Sequence, residues 1–231
     1  MLKKWKDIPE FMRNDTVKKY YIVLNKKQGR LVVKRFFDVI MSLMLLVVLL
    51  PVLFSISIWI KLDSEGPVFY RQERITQYGK KFRIYKFRTM VANADKIGNL
   101  VTTQSDSRIT KVGEKIRKCR LDEIPQLLNV LSGDMSFVGT RPEVKKYVDR
   151  YTDEMLATLL LPAGITSVAS IQYRDEDEIL EKYVDEENSV DEVYVNRILP
   201  NKMKFNLMTL KDFSCWKDVE VMFQTIIAVL R

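Results

Sequence analysis

The sequence predicts a helix-rich α+β fold with little β-sheet, attached to a membrane by one hydrophobic segment near its N-terminus. Residues Phe36–Ile60 form an apolar run of 25 residues with a single charge, Asp38. The rest of the chain alternates short helical and short strand patterns, with turns at Gly and Pro and no internal repeat. Because 47% of the 231 residues are apolar and 29% are charged, most of the chain is expected to be globular.

The first 33 residues hold many lysines and arginines with aromatic residues between them, namely Trp5, Phe11, Tyr20 and Tyr21. This composition suits the surface of an anionic membrane, where the cations meet lipid headgroups and the rings enter the interface. It equally suits a loosely ordered basic tail. The sequence alone leaves both interpretations open.

The apolar segment is long enough to cross a bilayer, for which about 20 residues are needed. Basic residues lie at both of its ends, Lys34-Arg35 before it and Lys61 after it, so the positive-inside rule gives no direction. Pro51 lies near the middle and should bend or break the helix, because it lacks a backbone N–H and clashes with a preceding carbonyl. A kinked transmembrane helix and a re-entrant helix that returns to the same face both fit.

Three polar side chains are expected to support this segment. Ser55 and Ser57 follow the proline and can satisfy backbone groups that it frees. Asp38 lies four residues after Lys34 and is expected to pair with it at the membrane interface.

The body of the chain is predicted to contain two strands, Val68–Arg71 and Lys81–Phe87, on either side of a turn at Tyr78-Gly79. A second turn is predicted at Pro162–Thr166, which contains Pro and Gly. Apolar periodicity, caps and breakers predict five helices in the body: Ala92–Ile97, Lys111–Arg120, Pro125–Leu131, Val144–Leu160 and Trp216–Leu230.

The last of these helices has a continuous apolar face. Helical spacing places five large side chains on it, and such a face either packs on a core or lies on a membrane surface: Val219, Phe223, Ile226, Ile227 and Leu230.

Composition limits the chemistry that the chain can perform. It contains no histidine, which excludes Ser-His and Cys-His nucleophile pairs and argues against a zinc site. Asp, Glu, Lys and Tyr remain, and hard carboxylate oxygens favour Mg²⁺ or Mn²⁺. Two cysteines, Cys119 and Cys215, are too few for a disulfide framework and favour a reducing compartment. The net charge of +8 favours anionic partners such as phospholipids, nucleotides or nucleic acid.

Two adjacent acids, Asp122-Glu123, lie in a basic stretch just ahead of a helix that contains Pro125. The N–H groups at a helix N-terminus attract anions, so a phosphate could lie beside these acids if a metal or an arginine screens them. Such a pair is otherwise an ordinary helix cap followed by a first-turn acid. Arginines suit phosphate because the planar guanidinium binds two oxygens at once, and the candidates are Arg88, Arg117, Arg120 and Arg141.

Six blocks of sequence occur in an order that resembles a known family, the bacterial sugar transferases, which are monotopic polyprenyl-phosphate phosphoglycosyl transferases. The resemblance runs from about Lys34 to the C-terminus. Several long blocks in the right order are far more specific than any one of them: Lys34–Asp38, Gly66–Arg74, Tyr85–Met90, Asp106–Thr110, Leu121–Leu127 and Gly133–Pro142.

The resemblance implies transfer of a sugar 1-phosphate from a UDP-sugar to undecaprenyl phosphate, with release of UMP. It implies that Asp122 is a nucleophile that forms a covalent phosphosugar intermediate. It also implies that Glu123, together with Asp122, holds Mg²⁺, for which Mn²⁺ could substitute. Candidate phosphate-binding and substrate-binding residues are Lys86, Arg88, Arg117 and Arg141.

The resemblance also implies a re-entrant membrane helix. The expected division is a basic segment over 1–33, a membrane helix over 34–61 and a catalytic domain over 62–231. The catalytic domain is then on the cytoplasmic face of the bacterial inner membrane, at the first membrane step of a capsule, exopolysaccharide, O-antigen or glycoprotein pathway. No nucleic acid partner is implied, and a homodimer stays open. The expected membrane-anchor residues are Lys34, Arg35, Asp38 and Pro51.

Three positions depart from the family pattern. Leu50 precedes the proline where Ser is often found, Thr140 replaces the first Pro of Gly-Pro-Arg-Pro, and the loop Pro162–Ser167 replaces Pro-Gly-Ile-Thr-Gly. The other class of function that fits the charge is a non-enzymatic membrane adaptor that binds acidic lipid or nucleic acid. That alternative leaves Asp122-Glu123 without a role.

Overall fold

The computed structural model describes residues 2–94, 106–183 and 189–230. Helices dominate these ranges and two small sheets lie among them, which confirms the predicted helix-rich α+β class. The α-helices are α1 Asp15–Asn25, α2 Gln28–Val48, α3 Leu50–Asp63, α4 Lys111–Lys118, α5 Leu127–Ser132, α6 Lys145–Val148, α7 Val168–Gln172, α8 Glu176–Tyr183, α9 Val190–Val193, α10 Leu199–Lys211 and α11 Cys215–Leu230. The strands are β1 Phe69–Ile75, β2 Lys81–Phe87, β3 Met135–Val138 and β4 Ala163–Thr166. Shorter 3₁₀ turns span Trp5–Asp7, Glu10–Met12, Gln77–Gly79, Leu121–Gln126 and Met155–Leu160, and a π-helical turn spans Tyr194–Ile198.

The N-terminal segment is a folded part of the body and not a loosely ordered tail. Helix α1 begins after Asn14, whose side-chain oxygen accepts a hydrogen bond of 2.8 Å from the N–H of Val17. Its lysines stay exposed, whereas Val17, Tyr20 and Leu24 are buried against the 3₁₀ turn before β4 and against α10. This cluster includes Ile8, Met12, Val17, Tyr20, Leu24, Leu159, Leu160, Leu207 and Leu210.

Helices α2 and α3 form a bent pair. Their axes differ by 61° at Leu49, and Pro51 lies in the first turn of α3, where its missing N–H removes no helical hydrogen bond. The bend forms with Leu50 at the position where the family often has Ser. In the described parts of the chain, no single helix is long and apolar enough to cross a membrane, and α2 with α3 meets that test only as a pair. Ser55 and Ser57 donate to carbonyls four residues earlier, those of Pro51 and Leu53.

The start of α2 is fixed to the body by its polar residues. The expected pairing of Lys34 with Asp38 is wrong: Lys34 pairs with Asp218 on α11 at 2.5 Å and also donates to the carbonyl of Val138. Asp38 instead accepts a hydrogen bond of 3.2 Å from the N–H of Phe137. The spacing of four residues predicts a pair on one face of the helix. Lys34 and Asp38 instead each bind a group outside α2, on α11 and β3 respectively.

Arg35 and the apolar side of α3 complete the attachment. Arg35 donates to the carbonyls of Val130 and Leu131, in the last turn of α5, at 2.6 and 2.9 Å. On the other leg, Ile56 and Ile60 are buried against Phe87 of β2 and against α4. Both legs of the bent pair are therefore held by the same body.

In the first sheet, β2 has the predicted bounds, whereas β1 extends four residues beyond the predicted end at Arg71. Strands β1 and β2 pair antiparallel, from Phe69 opposite Phe87 to Ile75 opposite Lys81. The chain reverses at Tyr78 and Gly79, both of which have positive φ.

The second sheet contradicts the predicted turn at Pro162–Thr166. Residues Ala163–Thr166 form β4, which pairs parallel with β3. Glycine led to the turn prediction, but here Gly164 allows a close backbone approach: a Cβ at this position would lie 2.1 Å from the backbone nitrogen of Gly139.

The predicted helix Val144–Leu160 is also wrong, because it is interrupted after Val148. The chain leaves helical geometry over 149–154, where the hydroxyl of Thr152 accepts from the N–H of Met155 and so competes with helix continuation. Of the predicted helix Ala92–Ile97, residues 95–97 lie outside the described residues, and 92–94 form a turn.

Helix α11 is present as predicted, and its apolar face is turned away from the body. Phe223, Ile226 and Ile227 are 63%, 57% and 51% exposed, so core packing is wrong for these residues. The side of α11 that faces the body carries Asp218 and Thr225, whose hydroxyl lies 2.7 Å from that of Thr166 on β4.

Candidate active site

The two acids Asp122 and Glu123 lie in the 3₁₀ turn Leu121–Gln126, which leads directly into α5, so they do precede a helix as predicted. Pro125 also lies within this turn, and the α-helix starts only at Leu127. The turn packs between β2 and α4, and both carboxylates are nearly withdrawn from solvent, with residue exposures of 8% and 9%. Buried carboxylates require partners, and those partners determine what each acid can do.

Two cations converge on Glu123. Lys86 Nζ lies 2.7 Å and Arg141 Nη2 lies 2.8 Å from the same oxygen, Oε1. Asp122 Oδ2 is 3.8 Å from Lys86 Nζ, beyond hydrogen-bond distance. Within the described part of the chain, no hydrogen bond to the Asp122 carboxylate is present, in contrast to Glu123.

The environment separates the two acids electrostatically. Burial raises the pKa of Asp122, and the adjacent Glu123 charge adds to this, while Lys86 and Arg117 oppose it. Burial acts in the same sense on Glu123, but Arg141 and Lys86 outweigh it and hold the pKa of Glu123 well below its usual value. The surroundings therefore move the pKa values of the two adjacent acids in opposite directions, that of Asp122 upward and that of Glu123 downward.

Lys86 is positioned by β2. The side-chain oxygen of Asn129 accepts from the N–H of Tyr85 at 2.8 Å, and its amide donates to the carbonyl of Arg83 at 3.0 Å. Asn129 thus clamps the strand from α5, one residue before Lys86. Asn129 is not among the predicted site residues. The one feature of the sequence that could have indicated it is its position as a polar residue within the apolar stretch 127–131.

Arg141 is positioned by the loop that follows β3. Gly139 and Thr140 continue the pairing with β4, through Gly139 N–H to the carbonyl of Thr166 and Gly164 N–H to the carbonyl of Thr140. Replacement of the family's proline by Thr140 therefore leaves the loop attached. The negative charge of Glu123, which is hydrogen-bonded to Arg141, raises the pKa of Arg141, so this guanidinium stays charged.

The other two predicted cations are placed differently. Arg117, on α4, lies within electrostatic reach of Asp122, whose pKa it lowers. Arg88 directly follows β2, and its side chain reaches the end of α3, where it donates to the carbonyl and the hydroxyl of Ser64 at 2.6 and 2.9 Å. Among the described residues, two nitrogens of Arg88, Nε and Nη1, are buried without a partner. The structure thus brings Lys86, Arg141 and Arg117 to the acids, while Arg88 contacts the end of α3.

The donor set fits Mg²⁺ that is shared with a substrate. Among the described residues there is no group of three or more acids, cysteines or histidines that could hold a metal. Asp122 and Glu123 supply two carboxylates, and Mg²⁺ commonly binds one or two carboxylates together with substrate phosphates and waters. The neighbouring Lys86 and Arg141 suit the same phosphates. The site can therefore bind a diphosphate and present one carboxylate to it.

Comparison with known proteins shows a match over most of the chain. Residues 29–231 match the family model of the bacterial sugar transferases. A UDP-N-acetylgalactosamine-undecaprenyl-phosphate N-acetylgalactosaminephosphotransferase of Aeromonas hydrophila is 33% identical over 204 residues, which cover 86% of this chain and 44% of that protein. A UDP-glucose:undecaprenyl-phosphate glucose-1-phosphate transferase of Escherichia coli (strain K12) is 35% identical over 84% of this chain and 39% of that protein.

A third relative is shorter, and the match covers most of its length but a smaller part of this chain. A putative undecaprenyl-phosphate N-acetylgalactosaminyl 1-phosphate transferase of Bacillus subtilis (strain 168) is 41% identical over 133 residues, which are 57% of this chain and 74% of that protein. The chain spans less than half the length of the first two relatives.

Proposed function

The chain belongs to the bacterial sugar transferase family, and we propose that it transfers a sugar 1-phosphate from a UDP-sugar to undecaprenyl phosphate and releases UMP. The names of its relatives support both substrates. The single observation that carries the proposal is the asymmetric pairing at the acids: both cations hydrogen-bond to Glu123, and among the described residues none donates a hydrogen bond to the Asp122 carboxylate beside them.

In the first step, an oxygen of the Asp122 carboxylate attacks the phosphorus that bears the sugar. The bond from that phosphorus to the UMP oxygen breaks, and UMP leaves with the bonding electrons. In the second step, a phosphate oxygen of undecaprenyl phosphate attacks the same phosphorus, and the carboxylate leaves. A carboxylate nucleophile has no proton to lose, so these steps need no histidine base.

Asp122 and Glu123 would hold Mg²⁺, or Mn²⁺ in its place. When bound, the ion neutralises charge on the phosphoryl oxygens of the substrate. Lys86 and Arg141 are close enough to Glu123 to share the same phosphate oxygens, and they orient the diphosphate toward Asp122. Arg117 adds positive charge beside the nucleophile, and Arg88 is proposed to act where the end of α3 meets the body.

We propose that α2 and α3 enter the membrane and return to the same face. Two observations support this. The same body holds α2 through Lys34 and Arg35 and holds α3 through Ile60, so both ends of the pair lie on one side. From Asp38 to the bend at Leu49, α2 rises about 17 Å at 1.5 Å per residue, which is short of the roughly 30 Å of a hydrocarbon core.

The exposed apolar surface of the bent pair agrees with this placement. Val47, Val48, Leu50 and Phe54 around the bend are each more than 60% exposed. Exposed apolar patches of this kind require a cover. The apolar face of α11 is then proposed to lie along the membrane surface, and the body on the cytoplasmic face of the inner membrane.

The proposed reaction is tested by incubating the membrane-embedded protein with undecaprenyl phosphate and a panel of UDP-sugars, and by measuring UMP release with and without Mg²⁺. UDP-glucose, UDP-galactose and UDP-N-acetylgalactosamine belong in the panel because relatives named for these sugars match the chain. UMP release that requires both undecaprenyl phosphate and Mg²⁺ is expected with one of the donors. A protein that binds anionic lipid but releases no UMP with any donor would instead be the membrane adaptor.

A further inference from the structure

A chain of buried polar side chains runs from the Arg141 loop into the helices behind it. The hydroxyl of Tyr194 donates to Glu143 Oε1 at 2.6 Å and accepts from Lys202 Nζ at 3.3 Å. Lys202 also donates to Glu176 Oε2 at 2.8 Å. Glu143, Tyr194 and Lys202 are each at least 95% buried. Nothing in the two steps described above uses these residues.

Burying charged and polar side chains costs free energy, so their presence here indicates a role other than stability. A lysine or a glutamate removed from water destabilises a fold unless it is paired and hydrogen-bonded, and an apolar set of the same shape is often as stable. Tyr194 also begins the π-helical turn Tyr194–Ile198, where α9 passes into α10. Turns of this kind are rare and occur often at functional sites.

One end of the chain fixes the loop that carries Arg141. Glu143 is two residues after Arg141, and its backbone carbonyl accepts from the N–H of Ile75 on β1 at 2.9 Å. Arg74 donates to the carbonyl of Pro142 at 3.2 Å. The loop is therefore held by β1 on one side and by Tyr194 on the other.

The other end reaches a second wall of the site. Lys202 holds Glu176, at the start of α8, and Glu176 is close enough to Arg141 to raise its pKa. Two residues earlier, the carbonyl of Arg174 accepts a hydrogen bond of 3.0 Å from Arg120. Arg120 directly precedes the turn that bears the two acids, so the 174–176 stretch is hydrogen-bonded to one side of the site and interacts electrostatically with Arg141 on the other.

We propose that Tyr194 is a positioning residue for the donor substrate: through Glu143 it sets Arg141, and through Lys202 and Glu176 it sets the 174–176 wall against the same diphosphate. This assignment rests on the proposed function and deepens it. Tyr194 itself touches neither the substrate nor the reacting atoms. Its hydroxyl determines how closely two separate groups approach the UDP-sugar.

The test compares Tyr194→Phe with Tyr147→Phe. The two rings lie in the same buried cluster with centroids 4.8 Å apart, and each hydroxyl donates to a carboxylate. Tyr147, however, donates to Asp191, which belongs to a surface pair with Lys146. Each variant removes one oxygen and keeps the ring, so the two report the same structural change at different places.

In Tyr194→Phe the KM for the UDP-sugar should rise about tenfold, which corresponds to about 1.4 kcal/mol. At equal folded fraction, kcat should change no more than in Tyr147→Phe, whose KM should stay within about twofold, as the loss of one hydroxyl away from the site would allow. If Tyr194→Phe does not fold, Lys202→Met is measured in its place, since it breaks the link from Tyr194 to Glu176. The same rise in KM is expected, and an unchanged KM would overturn the assignment.

The outcomes separate the two levels of the argument. Equal KM values in the matched tyrosine variants, or a loss of rate that follows the folded fraction alone, would overturn the positioning assignment and leave the proposed function intact. Absence of UMP release from the unmodified protein would overturn the proposed function and the assignment with it.

Discussion

Lys86 and Glu123 are joined by a hydrogen bond of 2.7 Å between two largely buried side chains, and this bond divides the work of the two neighbouring acids. It neutralises Glu123 together with Arg141, while Lys86 stays 3.8 Å from Asp122. The adjacent acids therefore differ in environment although they adjoin in sequence.

Asp122→Asn should abolish turnover. The amide keeps the shape of the carboxylate but cannot attack phosphorus, so a loss of at least about a thousandfold, or about 4 kcal/mol of barrier, is expected. Mass spectrometry of the unmodified protein with the donor alone should show a phosphosugar adduct on Asp122. Asp149→Asn, at an exposed pair with Lys145, is the control and should keep full activity. A tenth of the original rate in Asp122→Asn would rule out the nucleophile.

Glu123→Gln should weaken the apparent affinity for Mg²⁺ at least about tenfold, because a neutral amide is a poorer ligand for a hard cation. The measurement is UMP release as a function of Mg²⁺ concentration. Glu114→Gln, on the exposed side of α4, serves as the control for loss of one negative charge. Unchanged Mg²⁺ dependence in Glu123→Gln would contradict the ligand role.

Arg117→Gln should shift the acid limb of kcat/KM to higher pH. The raised pKa of Asp122 means that the reactive carboxylate is lost by protonation above the ordinary aspartate range as pH falls. Arg117 opposes that rise, so its removal should raise the pKa further. Lys118→Gln, on the next and more exposed position of α4, should leave the limb in place. Identical pH profiles for the two variants would show that Arg117 does not act on Asp122.

Lys34→Met should destabilise the protein by about 3 kcal/mol, because it leaves Asp218 buried without its cation. The two side chains are only 10% and 11% exposed. Thermal unfolding in detergent measures the effect. Lys145→Met breaks a solvent-exposed pair and should stay within about 1 kcal/mol. A similar small effect in both variants would mean that the contact with α11 does not hold α2.

A single cysteine at position 4 should be protected from a membrane-impermeant thiol reagent in intact cells, and reactive after lysis. Lys4 is exposed, and the protein would carry replacements of Cys119 and Cys215. Labelling without lysis would contradict the re-entrant topology.

Pro51→Ala restores a backbone donor and should let α2 and α3 straighten, with lower activity and some N-termini moved across the membrane. A variant unchanged in both respects would indicate that Lys34, Arg35 and Asp38 set the bend.

The sequence by itself determined the parts of the fold that local signals encode. Helical periodicity located α4 and α11, alternation and a turn located β2, and the proline in an apolar run located the bend between α2 and α3. The motif blocks also led to the family. Each of these signals operates over a few residues, where backbone sterics and side-chain spacing dominate.

Only the tertiary structure decided the pairings that give the site its character. Lys34 meets Asp218, 184 positions away, instead of the nearby Asp38, and Glu143 meets Tyr194 across 51 positions. Residues Ala163–Thr166 form a strand because they hydrogen-bond to β3. Apolar residues of the basic N-terminal segment are buried because they pack against apolar residues of α10. The free energy of a buried charge or an added strand depends on which groups the whole fold brings within a few ångströms, and no local pattern carries that information.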